Sequence, residues 1–480
     1  MPEPNVAAID AALLGALPPG SLYAVGGRVR DEVRSSLDGL ARPAKDLDYV
    51  AVGVTLEELV ERLGRVGRAD VVGAAFAVVK CTLGGVTVDV ALPRRERSTG
   101  VGHREFAVEA GPSISLEDDL GRRDFRMNML ARSLADGGIV DPFGGVDDIR
   151  GKRIDLLRPD AFAEDPLRML RAAQFAARFE YMVSPETMAA MRAAAHSIQS
   201  VSAERIRDEL IKLLEGAHRP SIGFEVMREG GLLIQLLPEI AEGIDVEQNQ
   251  FHAYDVYRHS LATLDATPHG ALVLRLAALL HDVAKPRTKD GPHFYRHEIL
   301  GAELTHALLE RLRFPHETTD RVASLVRHHM YAADPGLSAA ALRRFVRRVG
   351  LDNLETQFAL RAADVVGSGL PPRDDANQRY EARVFALLAE KPALSVKDLA
   401  INGADVITAA TAAGLLEGGS RGGPLVGAAL RALLDRVIEQ PELNERTALL
   451  GELAAVLAEE RSGDVPRGTS HGETVLPEGE

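Results

Sequence analysis

The sequence predicts an α+β head with a small mixed sheet, followed by an all-helical remainder. Three observations carry that expectation. Between Leu22 and Val90, short β-patterned runs alternate with Gly-containing turns and helical stretches. From about residue 151 onward, apolar residues recur at helical spacing. Ten of the 14 histidines fall between His252 and His329, on successive helical segments. At 480 residues the chain is too long for one core. We divide it into a head (1–150), a helical neck (151–237), a helical body (238–372), a helical tail (373–460) and a disordered C-terminus (461–480).

Each element has a local reason. Residues 1–20 read as an entry helix ending at Pro18-Pro19-Gly20. Leu22 to Val25 has strand character and ends in Gly26-Gly27, after which Arg28, Arg30 and Asp31 open a helix. Arginines and free backbone N–H groups at a Gly-rich helix start make a phosphate cradle. The next strand carries Asp46 and Asp48. Residues i and i+2 of a strand share a face, so the two carboxylates converge. Mg²⁺ takes oxygen ligands of this kind. A phosphate cradle beside paired carboxylates is what nucleotidyl transfer from a triphosphate requires. Thr55 is placed to cap a helix running to Leu63. Ala75–Lys80 and Val86–Val90 read as a hairpin around Gly84-Gly85. Asp89, flanked by apolar residues, is expected to face the site as a third acidic group, since an unpaired buried carboxylate is costly. The alternative is a solvated Asp at a strand edge. Arg94 to Pro112 is polar and weakly patterned and reads as a mobile loop.

Composition bounds the rest. Hydrophobic content of 46% and charge of 26% are those of a soluble globular protein. A single cysteine, Cys81, excludes an internal disulfide and fits a reducing cytoplasm. No charged-then-apolar leader opens the chain. Ala271 to Leu280, the longest apolar stretch of the middle, is short and broken by Arg275, so it reads as a buried helix and not a membrane span. The net charge of −14 argues mildly against a nucleic-acid partner, but arginines cluster at Arg94-Arg95-Arg97, Arg122-Arg123-Arg126 and Arg343-Arg344-Arg347-Arg348. With no Trp and 5% aromatics, base stacking on an aromatic platform is not expected to dominate.

The order strand, Gly-Gly-x-Val-Arg-Asp, then Lys-Asp-Leu-Asp resembles the catalytic head of the polymerase-beta-like nucleotidyltransferases. Within them it is similar to the bacterial tRNA CCA-adding enzymes and poly(A) polymerases of class II. That resemblance implies roles for further residues. Arg122-Arg123-Asp124-Phe-x-x-Asn128 looks like the motif that binds triphosphate and ribose, although Arg126 and Met129 stand where the family usually has Thr and Ala. Both are larger and are expected to reshape the pocket or the primer path. Asp141 to Asp148 resembles the structural link from head to neck. Asp165 and Arg168, read as i,i+3 neighbours on one helix face, match the family's Glu-Asp-x-x-Arg template motif. A carboxylate accepts from the exocyclic amine of cytosine or adenine, and a guanidinium donates to the adjacent ring nitrogen; uracil and guanine present the opposite pattern. Arg171 is expected to support Arg168. Glu204-Arg205-Ile206 matches the last neck motif.

In the body, His…His-Asp…Asp on successive helices is a transition-metal donor set. His259, His281, Asp282 and Asp364 match the metal ligands of HD domains, which are generally phosphohydrolases. His297 and His328 are available for a second metal or a substrate phosphate. The implied cofactors are Mg²⁺ in the head and Ni²⁺, Co²⁺ or Mn²⁺ in the body. The implied partners are tRNA, CTP and ATP, with no membrane, and the tail is expected to grip nucleic acid. The expected function is template-independent addition of C, C and A to tRNA 3′ ends in the cytoplasm. A poly(A) polymerase, and an HD phosphohydrolase with an inactive head, are the alternatives.

Overall fold

The computed structural model describes residues 5–40, 47–72, 77–98, 106–371, 374–417 and 422–462. The chain forms two compact units, Met1–Val326 with Ala363–Leu370, and Arg327–Ala362 with Pro371–Glu480.

The first unit opens with helix α1 (Val6–Ala16), then β1 (Leu22–Val25), α2 (Gly27–Asp38), β2 (Asp48–Ala51) and α3 (Leu56–Leu63). Thr55 caps α3 as expected, its hydroxyl accepting from the Glu58 N–H. Then come β3 (Arg68–Val72), β4 (Val78–Leu83), β5 (Val86–Ala91), β6 (Arg94–Ser98), β7 (Phe106–Ala110), α4 (Leu116–Gly121), β8 (Ala131–Ser133) and β9 (Ile139–Val140). Seven strands form one mixed sheet in the order β3-β4-β5-β2-β1-β8-β9. Every pairing in it is antiparallel except β2 with β5. Val25, Val50, Leu120, Met129 and Ala131 pack one core of the head.

One expectation changes here. Arg94 to Pro112 was read as a loop, yet its described parts pair as an antiparallel ribbon, from Arg94 opposite Ala110 to Ser98 opposite Phe106. Polar composition hid the strands, because a two-stranded ribbon is held by its backbone ladder and needs little apolar pattern. Ala75, Phe76 and Asp46 lie outside the described residues, as does the chain from 463 onward. The Val78–Ala91 hairpin turns at Gly84 and Gly85, both with positive φ.

The neck begins with α5 (Gly145–Arg150), β10 (Arg153–Ile154), α6 (Ala161–Glu164), α7 (Leu167–Phe179) and β11 (Met182–Val183), with β10 and β11 paired in parallel. It continues through α8 (Pro185–Ala194), α9 (Ala203–Gly216), α10 (Ser221–Glu229), α11 (Leu233–Leu236) and α12 (Pro238–Ala241). Next come α13 (Val256–Asp265), α14 (Leu272–Leu280), α15 (Lys285–Thr288), the short pair β12 (Lys289–Asp290) and β13 (His293–Phe294), and α16 (His297–Arg311). Arg275 on α14 is fully buried. Its guanidinium donates to three carbonyls, of Leu214, Ala217 (2.7 Å) and Pro268 (3.0 Å), and so caps the C-terminal end of α9. Among the described residues no helix is long and apolar enough to cross a membrane.

The remaining helices are α17 (His316–Arg327), α18 (Ala339–Val349), α19 (Leu351–Gly367), α20 (Ala376–Ala389), α21 (Gly403–Ala412), α22 (Gly423–Glu439) and α23 (Arg446–Ser462). In the second unit, Phe345, Phe358, Tyr380 and Tyr331 form an aromatic cluster. Three arginines of α18 are engaged. Arg343 donates to the Ile438 carbonyl at 2.6 Å, Arg344 pairs with Glu439 and Arg347 with Asp435. These arginines tie α18 to α22.

Candidate active site and metal centre

Gly26 sits at φ 77°, ψ −146°, a conformation open to glycine, and it turns β1 into α2. A Cβ at Gly26 would stand 3.4 Å from Asp48 Oδ2 and 3.5 Å from Arg123 Nη1. The turn, a carboxylate and a guanidinium therefore meet at one point. The parallel register sets Asp48 opposite Asp89, so both project to the same sheet face. Asp89 is about half exposed and lies 4.0 Å from Lys80. Oxygen donors side by side next to the free N–H groups of a helix start suit a hard cation and a phosphate.

Arg28 and Arg30 are both engaged by partners within the fold. Arg28 is buried, donating to Asp10 (2.9 Å), Glu32 (2.9 Å) and the Tyr49 hydroxyl (3.0 Å), and fastens α2 to α1 and β2. Arg30 lies beside Gly27, pairs with Asp31 and donates to Asn128 at 2.8 Å. Its guanidinium also stacks over Phe179, 4.6 Å from the ring centroid. Arg28 and Arg30 thus have internal acid partners, and Arg123 stands beside Gly26.

The 122–130 segment is knit internally. Arg122 and Arg123 pair with Asp119, whose side chain is fully buried. Asp124 accepts from Asn128 (2.8 Å), the Phe125 N–H (2.8 Å) and Arg171 (2.6 Å). Burial alone would raise the Asp124 carboxyl, but Arg171 and these donors hold it below the usual range. Arg171 therefore supports Asp124 and not Arg168. The two residues that depart from the family pattern do not face the Gly26 turn. Met129 is core, and Arg126 ties its 3-10 turn to Asp148 (2.7 Å) and Asp155 (2.6 Å). Gly145 must be glycine, because a Cβ there would come 2.2 Å from the Arg126 carbonyl.

Asp165 and Arg168 do not share a helix face. Asp165 is extended (φ −139°, ψ 97°) and precedes α7. Pro166 is the reason, since a residue before proline is driven from the α region. The Asp165 carboxylate lies 3.3 Å from Arg205. Arg168 is largely buried, donating to the Arg122 carbonyl at 2.6 Å and lying 3.4 Å from Glu164. Arg205 belongs to the last neck motif, and its link to Asp165 leaves no local signal in the sequence.

The second centre gathers on α13, α14 and α19. His259 Nε2 lies 3.1 Å from His281 Nε2, 3.1 Å from Asp364 Oδ1 and 3.4 Å from Asp282 Oδ2. Gly367 allows this approach. A Cβ there would meet the Thr263 N at 2.6 Å, so the glycine lets α19 close on α13 and delivers Asp364, one turn earlier, to His259, one turn before Thr263. His281 Nδ1 is held at 2.8 Å by the Ala278 carbonyl, which places the proton there and leaves a lone pair on Nε2, 3.2 Å from Asp282. Lone pairs converging at that range call for a cation, so the donor set fits a transition metal. Without one, a proton serves. Burial opposes it, but Asp282 and Asp364 raise His259 to about 9.

His297 contributes Nε2 at 3.4 Å from Asp282, and Lys285 Nζ lies 2.7 Å from the same carboxylate. His328 lies in the second unit, where burial, with Arg348 and Arg327 nearby, lowers it to about 4. His252 was not anticipated. One ligand atom each from His252, His259 and Asp364 lies within 4.8 Å of the others.

Comparison with known proteins places these sites in context. Residues 22–155 match the Poly A polymerase head domain, 180–244 the "Probable RNA and SrmB- binding site of polymerase A", and 252–366 the HD domain. A multifunctional CCA protein of Azoarcus sp. (strain BH72) is 38% identical over 361 residues, covering 72% of this chain and 84% of that protein. One from Nitrosococcus oceani is 39% identical, covering 77% and 92%. The fold is similar to that of the Bacillus stearothermophilus CCA-adding enzyme in complex with CTP, with a TM-score of 0.61, 24% identity and coverage of 92% and 95%. It is also similar to the Thermotoga maritima CCA-adding enzyme complexed with tRNA_CCA, with a TM-score of 0.53, 20% identity and coverage of 95% and 96%.

Proposed function

The chain belongs to the multifunctional CCA protein family, and from that premise we propose that it is a tRNA nucleotidyltransferase adding C, C and A to tRNA 3′ ends from CTP and ATP, with release of pyrophosphate, in the cytoplasm. The observation that carries this reading is the register that sets Asp48 and Asp89 on one face beside Gly26 and Arg123. Asp46, Asp48 and Asp89 would hold Mg²⁺, which when bound supplies Lewis-acid stabilisation at the attacking and leaving oxygens. Arg123 and the free N–H groups opening α2 meet the triphosphate. Asp165 accepts from the exocyclic amine of C or A, and Arg168 donates to the adjacent ring nitrogen. Arg168, fixed on the Arg122 carbonyl, and Asp165, braced by Arg205, are suited to a rigid template. The tail grips the tRNA.

The donor set around His259 supports a second activity, phosphohydrolysis with Ni²⁺, Co²⁺ or Mn²⁺, independent of the head. The deciding experiment is incubation with tRNA ending before CCA, labelled CTP and ATP, and sequencing of the products. CCA ends support the reading. Long A tails would make the protein a poly(A) polymerase, and phosphate release with no incorporation would make it a phosphohydrolase with an inactive head.

A further inference from the structure

We propose that His252 is a fifth protein ligand of the His259 centre; this rests on the reading of His259, His281, Asp282 and Asp364 as a metal set. His252 is half-buried in the segment before α13, and its Nδ1 lies 3.1 Å from Asn249 Oδ1. That oxygen also accepts the Phe251 N–H at 3.2 Å, so it is an acceptor toward both. His252 therefore carries its proton on Nδ1 and a lone pair on Nε2. His281 and His297 are presented in the same way, with Nδ1 on the Ala278 and Phe294 carbonyls at 2.8 and 2.7 Å. An oxygen on the far nitrogen, fixing tautomer and ring orientation, is the usual support of a metal-binding imidazole.

The placement agrees. The His252 ring stands edge-on to His259, with centroids 4.6 Å apart at 82°. His252, His259 and Asp364 form one group of convergent ligand atoms, and His259, His281 and Asp282 form another. His259 belongs to both, which sets His252 beside the donors gathered around that imidazole. The segment is also pinned, since the Ala253 N–H donates to the Ser368 carbonyl at 2.8 Å, just past the end of α19. His252 and Asp364 are thus held by the same helix terminus. Five protein ligands and a water give a coordination number that suits Ni²⁺, Co²⁺ or Mn²⁺ better than tetrahedral Zn²⁺.

The test is titration of the metal-free full chain with Co²⁺, read by visible absorption and calorimetry. Wild type should bind one Co²⁺ with the weak absorption of a five- or six-coordinate ion. His252→Ala should bind roughly tenfold or more weaker, with a stronger band as coordination falls. His252→Gln, closer in size, should lose affinity likewise, and Asn249→Ala, which frees the ring, should lose less. Equal thermal unfolding of the metal-free variants separates loss of a ligand from loss of fold. Unchanged affinity and spectrum in His252→Ala and His252→Gln would overturn the proposal. Wild type that takes up no Co²⁺ would instead sink the underlying metal reading, and this inference with it.

Discussion

Gly367→Ala tests how the second centre is assembled, because it alters no ligand. The added methyl would stand 2.6 Å from the Thr263 N and 2.7 Å from its Cα, on α13. The Thr263 side chain can turn away, but its backbone cannot. Restoring ordinary contact of about 3.5 Å requires α19 and α13 to part locally by roughly 0.9 Å. Overpacking of this kind costs about 1–3 kcal/mol. Asp364, one turn before Gly367, lies 3.1 Å from His259. The same displacement is large against the roughly 0.2 Å tolerance of metal–ligand distances. Asp364 should therefore leave the proposed coordination shell, and Co²⁺ affinity should fall by about tenfold to a hundredfold. The assay pairs a Co²⁺ titration with CMP incorporation by the head, which should be unaltered. Wild-type Co²⁺ affinity in a folded Gly367→Ala protein would refute the claim that this contact positions Asp364.

Three further outcomes are expected. Asp48→Ala should abolish incorporation of both C and A while tRNA binding, measured by filter retention, stays near wild type; substantial incorporation would remove Asp48 from the active site. Arg168→Ala should raise UTP incorporation relative to CTP, since a lost bidentate base contact is worth about 1–3 kcal/mol of discrimination; a lower rate at an unchanged CTP:UTP ratio would leave Arg168 a structural residue. Asp124→Asn should destabilise the protein by about 3 kcal/mol at neutral pH, the low end for breaking a buried pair, because Arg171 is one-third exposed and retains Glu209 at 3.8 Å. The native Asp124 carboxyl is held below its usual value. Its contribution is therefore present above about pH 4 and lost as pH falls through the lowered folded value. Urea midpoints of wild type and Asp124→Asn should converge on acidification, and a constant gap down to pH 2 would contradict the pairing.

Much of the fold was legible because local signals agreed with tertiary placement. The Gly26 turn, the Thr55 cap, the hairpin at Gly84-Gly85 and the buried α14 each follow from neighbours in sequence. The site was less legible where partners are remote. Arg171 reaches Asp124 from 47 residues away, and Arg205 reaches Asp165 from 40 away. Spacing along a helix carries no trace of either. The Asp165 expectation failed on a signal that was in view, since Pro166 bars the preceding residue from the helix. The engagement of Arg28 was hidden because charge beside a Gly-rich turn does not reveal an internal acid such as Asp10. Gly367 carries no motif; only the approach of two helices makes it matter.

The buried guanidinium of Arg275 has a consequence for how the chain is made. The Leu214 carbonyl, near the end of α9, and the Ala217 carbonyl just beyond it await a donor 61 and 58 residues downstream. During synthesis α9 can form early, but its last turn stays unlatched until α14 has left the ribosome and docked. The neck and the histidine-bearing body should therefore mature as one cooperative block, with amide exchange at the end of α9 slowing only when α14 is present. A nascent chain halted before residue 275 would hold a helix with a frayed end, its last carbonyls waiting for a donor that has yet to be made.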